Sequence, residues 1–307
     1  MALRRTEQQH PDAGGLDLKA PLEVSRLLAD AQLAAAGAVL GAVGPLSDAA
    51  AIVADTLRGG GRLAYAAAGS SALMALADAL ELPGTFGIAP ERVVVLIAGG
   101  QAALSHLAGG PEDDPDEARH AIGKAELGAG DCLIAISASG STPYAVAALA
   151  EARRRGMPTI AIANNAATPL VEGADIGIAV ETPPEIIAGS TRMGAGTAQK
   201  IALNMLSTLA AIRLGHVHDG YMVNLRADNA KLRDRAARMV TAIAGCPPEE
   251  AAALLDQAEG SVKVAVLLAA GALDGAAARE LLESEGGMLR AALSRLESGN
   301  DARKHGT

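Results

Sequence analysis

Two hydroxyl-rich turns and two glutamates carry most of the chemistry this sequence offers. The first turn is Ser137-Ala138-Ser139-Gly140-Ser141-Thr142-Pro143, directly after the aliphatic run Leu133–Ile136. Thr142 is placed as a helix N-cap and Pro143 as the first residue of a helix that runs to about Arg155. A helix opening this way presents unpaired N–H groups and its positive dipole end above the strand. Ser137, Ser139, Ser141 and Thr142 add hydroxyls there, which makes a phosphate cradle without a lysine. The spacing is neither Gly-x-x-x-x-Gly-Lys-Ser/Thr nor Gly-x-Gly-x-x-Gly. Taken alone, it fits an ordinary capped turn as well as a phosphate site. Ala67-Ala68-Gly69-Ser70-Ser71 repeats the order of strand, hydroxyl turn and helix. Two such turns project from one edge of a parallel sheet, and together they favour a phosphate or phosphosugar ligand.

For acid–base work the candidates are Glu81, near the end of the helix launched by Ser70 and Ser71, and Glu112, in a Gly/Pro loop. Both can reach the ligand-binding edge of such a sheet. Such a pair works near neutral pH when one carboxyl is protonated and the other ionised, which needs different burial for the two. Otherwise an exposed glutamate is simply solvated. His216, His218 and Asp219 are metal-ligating types. Without a further distant ligand they read as a helix-terminal histidine beside a polar turn, and no metal is expected. Nor is the serine turn the Gly-x-Ser-x-Gly elbow of a hydrolase.

These groups need elements to place them. Short apolar runs at Arg62–Ala66, Val93–Ala98, Leu133–Ile136, Thr159–Ala163 and Ile176–Val180 predict strands. Helical patterns cover about 21–36 and 45–58, the stretch from Ser71 to Glu81-Leu82-Pro83-Gly84, and about 101–108. Further patterns cover the stretch before Leu127, 144–155, 190–214 and 224–243. Strands alternating with helices imply a doubly wound, five-stranded parallel α/β sheet covered on both faces. Residues 1–20 read as an irregular arm. Gly245-Cys246-Pro247-Pro248 marks a boundary, followed by helical patterns at about 248–258, 261–270, 273–283 and 287–296. The expected division is a sheet-bearing domain over 1–244 and a small helical domain over 245–307, marginal by itself.

Composition narrows the partners. Half of the 307 residues are apolar and nearly all of these are aliphatic, with one Phe, three Tyr and no Trp, so the core is large and almost without rings. The net charge is −9 and no basic patch is interleaved with aromatics, so nucleic acid is not an expected partner. No uninterrupted apolar stretch reaches about 18 residues, and Met1–Glu7 lacks a signal-peptide core, so no membrane span is expected. Cys132 and Cys246 show no metal spacing and read as reduced thiols of a cytoplasmic protein.

The turn at 137–144 and the long segment Glu185–Lys200, continued by Leu203-Asn204-Met205-Leu206-Ser207-Thr208, resemble the N-acetylmuramic acid 6-phosphate etherases of the sugar isomerase (SIS) superfamily. The resemblance runs from Thr6-Glu7 to the helical tail and includes Val223-Asn224 and Asn229–Leu232. It implies cleavage of the lactyl ether of a phosphorylated amino sugar, without metal or organic cofactor, by a homodimer in which the 190–214 helix is a suitable pairing element. It also implies two catalytic glutamates, and these fall on Glu81, in Glu81–Gly87, and on Glu112, after Ile97-Ala98-Gly99-Gly100. Glu112 is then the base and Glu81 the acid. The hydroxyls of Ser70, Ser71, Ser137, Ser139, Ser141 and Thr142 hold the phosphate.

The chain departs from the family at two points. The first loop of the family reads Gly-Ala-Gly-Thr-Ser-Gly-Arg, whereas here Ala72 and Leu73 follow Ser71. The second loop of the family carries arginine where Ser141 stands. Both departures remove a cation from the expected phosphate or lactate site. A non-catalytic phosphosugar sensor or an aldose–ketose isomerase shares the same loops, and release of lactate separates the etherase from both.

Overall fold

The computed structural model describes residues 3–225, 227 and 229–305, with side chains as far as 298; Met1 and Ala2 of the expected arm lie outside the described residues. Five strands form one parallel sheet: β1 (Leu63–Ala67), β2 (Val93–Ile97), β3 (Cys132–Ser137), β4 (Thr159–Ala163) and β5 (Ile176–Ala179). Their order is β2-β1-β3-β4-β5. Parallel neighbours need crossovers, and helices supply them. In chain order the helices are α1 (Pro21–Ala38), α2 (Val43–Arg58), α3 (Gly69–Phe86), α4 (Pro115–Lys124), α5 (Pro143–Arg154), α6 (Pro169–Gly173) and α7 (Gly194–Arg213), of which α3 to α6 lie between successive strands. The central strands β1, β3 and β4 are buried along their whole length, which is why they read as unbroken aliphatic runs. Alanine-rich packing of α4 and α5 on one face, through Ala118, Ile122, Ala145, Ala148 and Leu149, closes the core around the buried ring of Tyr144.

The chain forms two compact units. One holds residues up to Ala79 and Glu91–Leu209; the other holds Leu80–Pro90 and everything from Ala210. The sequence boundary at 244/245 falls inside the second unit. The reason is α8 (Ala230–Ala244), whose Ala236, Met239 and Val240 share a core with the helices that follow. Those are α9 (Pro248–Gln257), α10 (Val262–Ala269), α11 (Gly275–Ser284) and α12 (Leu289–His305). Leu80–Pro90 joins this unit through Asn224, whose side chain donates to Phe86 O at 2.9 Å. A Cβ on Gly87 would strike the Asn224 carbonyl.

Two local expectations change. The helix expected over about 101–108 is a 3₁₀ turn over Gly100–Leu104, because Gly99 and Gly100 both take positive φ. Conversely, α3 does not stop near Glu81–Gly84 but continues to Phe86 with Pro83 inside it; a proline near a helix end removes one backbone bond without ending the helix. The helical run Pro21–Arg58 is long and apolar enough to cross a membrane by length and composition. In this structure, though, its second half is a core element: Leu46, Ala49, Ala50, Val53 and Ala54 of α2 are buried. Its first half leaves Leu22 and Leu33 exposed.

The amino-terminal edge of the sheet is tied by one ion pair. Arg62 donates to Asp131 from its backbone N (2.8 Å) and from Nη2 (2.8 Å), and Gly128 N donates to the same carboxylate at 3.0 Å. Burial pushes the Asp131 carboxyl up, but these donors and the Arg62 charge together hold it below its usual range. A carboxyl depressed in the fold contributes stability above its unfolded pKa and loses it as pH falls through the folded value. Asp131→Asn should therefore cost about 2 kcal/mol in urea unfolding at pH 7. The difference from wild type should shrink as the pH is taken below about 4.

Candidate active site

From β1 the chain crosses to β2 on one side, whereas from β3 it crosses to β4 on the other. The two strands pair directly, Ala67 opposite Ile136 at their carboxyl ends. In an open α/β sheet this switch of direction leaves a crevice between the two outgoing loops. Both hydroxyl turns of the sequence leave from it.

After β3 the hydroxyls form a continuous chain of contacts, Thr142 to Ser137 to Ser139 to Ser141. Ser137 Oγ lies 2.7 Å from Thr142 Oγ1 and 3.3 Å from Ser139 Oγ, and Ser139 Oγ lies 3.3 Å from Ser141 Oγ. Gly140 N donates to Ser137 Oγ at 3.1 Å, and Ser141 N donates to Ser139 Oγ at 3.2 Å. Gly140 has φ +70°, and a Cβ there would collide with Thr168. Thr142 does occupy the N-cap position of α5, but its hydroxyl faces Ser137 and no side chain caps the helix. The helix end thus keeps its donors and positive dipole for something other than its own cap.

After β1, Gly69 takes φ +54° and opens α3, with Ser70 and the buried Ser71 in its first turn. Glu112 packs against this bend: its Oε1 lies 2.6 Å from where a Gly69 Cβ would stand. It comes from the 3₁₀ turn Gly110–Asp113 and is half-buried. Burial, and then the charge of Asp113, push the Glu112 carboxyl above its ordinary value. The structure thus brings Glu112 to the first hydroxyl turn, and the second turn to the neighbouring strand end. Glu81 lies further along α3, exposed, on the part of the helix that belongs to the second unit.

Several residues escaped the sequence reading. Asp78, buried within α3, accepts from Tyr65 Oη at 2.8 Å, Asn204 Nδ2 at 2.9 Å and Ser207 Oγ at 2.9 Å. Glu185 is buried and accepts from Gly194 N and Ala195 N, each at 2.9 Å, so it caps α7 from nine residues upstream of Gly194. Its place in the Glu185–Lys200 segment was the only signal available. Arg4, in the arm, hydrogen-bonds Ser141 Oγ. In the second unit Lys263 is buried, donates to Gly287 O at 2.9 Å, and has its amine lowered by burial to about 8. Of the groups that the sequence reading did name, His216 is taken down to about 4 by burial and then by the Lys263 charge, so it is neutral at pH 7. His218 faces Asp219 at 3.6 Å, and Asp219 is paired with Arg290.

The order β2-β1-β3-β4-β5 is that of a doubly wound open sheet with its switch between β1 and β3, and within that class a family model described as the SIS domain matches residues 38–164. A solved Bacteroides fragilis protein, described as a phosphosugar isomerase involved in capsule formation, shares the fold. Its TM-score is 0.52 and its identity 22%, over 67% of this chain and 98% of that one. The N-acetylmuramic acid 6-phosphate etherase of Deinococcus radiodurans is 43% identical over 96% of this chain and 97% of its own length. Those of Streptomyces avermitilis and Erwinia tasmaniensis are each 42% identical, over 94% of this chain and 93% and 94% of their own lengths. The chain belongs to the N-acetylmuramic acid 6-phosphate etherase family.

The contact between Gly69 and Glu112 is testable by itself. Gly69→Ala should lower thermal stability by about 1–2 kcal/mol through its left-handed backbone. It should also displace the Glu112 carboxyl towards water, and so bring its pKa back towards the ordinary range. Carbon-13 NMR titration of labelled glutamate reads that second effect, and an unmoved Glu112 would show that the close approach is unimportant.

Proposed function

We propose that this chain cleaves the D-lactyl ether of N-acetylmuramic acid 6-phosphate, yielding N-acetylglucosamine 6-phosphate and D-lactate, a step in the recycling of cell-wall amino sugars. Family membership over nearly the whole chain supports the reaction. The observation that carries the site assignment is the half-buried Glu112 carboxyl seated against the first hydroxyl turn. In the open-chain sugar the aldehyde acidifies the C2 proton. Glu112, as carboxylate, takes that proton while the C3–O bond breaks. Glu81, as carboxylic acid, protonates the departing lactate oxygen. An unsaturated aldehyde remains. Water then adds its oxygen to C3 and a proton returns to C2, with the two glutamates in reversed roles. A base whose pKa is raised by burial binds the C2 proton more strongly than a solvated glutamate would. The hydroxyls of Ser70, Ser71, Ser137, Ser139, Ser141 and Thr142 hold the phosphate and fix C2 and C3 between the carboxyls.

The same reading supplies a cytoplasmic homodimer. A phosphate monoester is too polar to cross a bilayer unaided, so its consumer works where the ester is made. α7 is largely buried in its own chain, through Ala198, Ala202, Leu203 and Leu206. The exposed apolar face lies instead on α1, where Leu22 and Leu33, about three turns apart, share one side. Sedimentation equilibrium should show a dimer, and Leu22→Glu combined with Leu33→Glu should yield monomers; a wild-type monomer would refute the pairing.

Kinetics test the glutamates. With N-acetylmuramic acid 6-phosphate as substrate, Glu81→Gln and Glu112→Gln should each lower D-lactate release by about 100-fold or more without changing thermal unfolding. Wild-type protein that binds the sugar phosphate but releases no lactate would instead be a sensor. The acid limb of kcat/KM should lie above the usual glutamate value of about 4.3. Asp113→Asn removes a neighbouring negative charge, so it should move that limb to lower pH. A limb that stays put would separate Glu112 from the essential base.

A further inference from the structure

The amino-terminal arm is fastened to the carboxyl edge of the sheet at several points. Thr6 is 2% exposed. Its carbonyl accepts from Gly189 N at 3.1 Å and its hydroxyl accepts from Asn165 Nδ2 at 3.2 Å. The same Asn165 amide donates to Ala138 O, inside the second hydroxyl turn, at 3.0 Å, while Asn165 Oδ1 accepts from Arg5 N at 3.0 Å. One side chain therefore couples the arm to the turn. Arg5 directs its guanidinium to Glu181, at 3.7 Å. Arg4 directs its own to Ser141 Oγ, and among the described residues no carboxylate pairs with it.

A guanidinium has five N–H donors and a permanent charge. A neutral serine hydroxyl satisfies one donor and none of the charge. The turns 67–71 and 137–142 contain no lysine or arginine, so the cradle has donors but no cation of its own. A phosphate dianion between the α5 end and Arg4 would supply the missing counter-charge, in the geometry for which arginine is suited.

We propose that Arg4 is a ligand of the substrate's phosphate group, brought to the second hydroxyl turn by an arm that Thr6 and Asn165 hold in place. Resting on the phosphosugar reading above, this makes the arm part of the binding site. It also accounts for a phosphate turn that carries serine at position 141.

Two measurements on the full-length protein decide it: calorimetry with N-acetylglucosamine 6-phosphate, and D-lactate release from N-acetylmuramic acid 6-phosphate. Arg4→Gln should raise both the Kd of the product and the KM of the substrate roughly 10- to 100-fold, with kcat changed less than about three-fold. Arg4→Lys, which keeps the charge but not the fork, should recover part of the loss. Thermal unfolding of both variants should match wild type, since Arg4 is exposed. An Arg4→Gln protein whose Kd and KM stay within about two-fold of wild type overturns the proposal while leaving the etherase reading intact. So does one that loses kcat with KM unmoved. If the wild type releases no lactate, the etherase reading falls, yet the calorimetric comparison still decides Arg4. A wild type that neither binds N-acetylglucosamine 6-phosphate nor releases lactate overturns both.

Discussion

A carboxylate taken out of water must be met by donors, or the fold cannot keep it charged. Asp78 is such a group, and its partners come from β1 (Tyr65) and α7 (Asn204 and Ser207). Burial, and then the Asp78 charge, push the Tyr65 phenol well up, so it remains a donor to that carboxylate. Three donors from two elements fix both the rotation and the height of α3. That helix opens with Ser70 and Ser71 and carries Glu81 one turn beyond Asp78. The placement of the first hydroxyl turn therefore depends on a polar cluster further along the same helix.

The two long helices at this edge treat their N-termini differently. On α7, Glu185 takes the first amides, so that end is electrostatically complete. On α5, Thr142 turns its hydroxyl to Ser137 and leaves the helix without a side-chain cap. The contrast separates a terminus closed by its own chain from one left open, as the proposed phosphate site requires. A permanent carboxylate at α5 would occupy the position a phosphate needs, and would repel it. In a chain of net charge −9, neutral hydroxyls and a single arginine from the arm concentrate positive potential locally without reversing the overall field.

Glu112 draws its properties from a different source. Its pKa is raised by the bend at Gly69 that packs against it and by Asp113 beside it, not by a hydrogen-bonded partner. A carboxyl raised this way holds its proton to higher pH than a solvated glutamate does, whereas Asp131, held by Arg62 and Gly128, keeps its charge to lower pH.

The sequence by itself determined the periodic features. Strands of a parallel sheet flanked by helices read as continuous apolar runs, so all five were legible, as were α5 with its Thr142-Pro143 opening and the helices of the second unit. The hydroxyl turns were legible because glycine and serine follow an apolar run directly at both places. Only the tertiary structure decided what depends on distant partners. Glu185 caps a helix from outside its local sequence, and Asp78 meets donors more than 120 residues away. The unit boundary follows the core that α8 shares, not the Gly-Cys-Pro-Pro punctuation. Arg4 reaches a turn 137 positions along the chain because Thr6 and Asn165 hold the arm there. Local pattern records which residues face a core; it holds no record of which remote side chain completes a charge or a hydrogen bond.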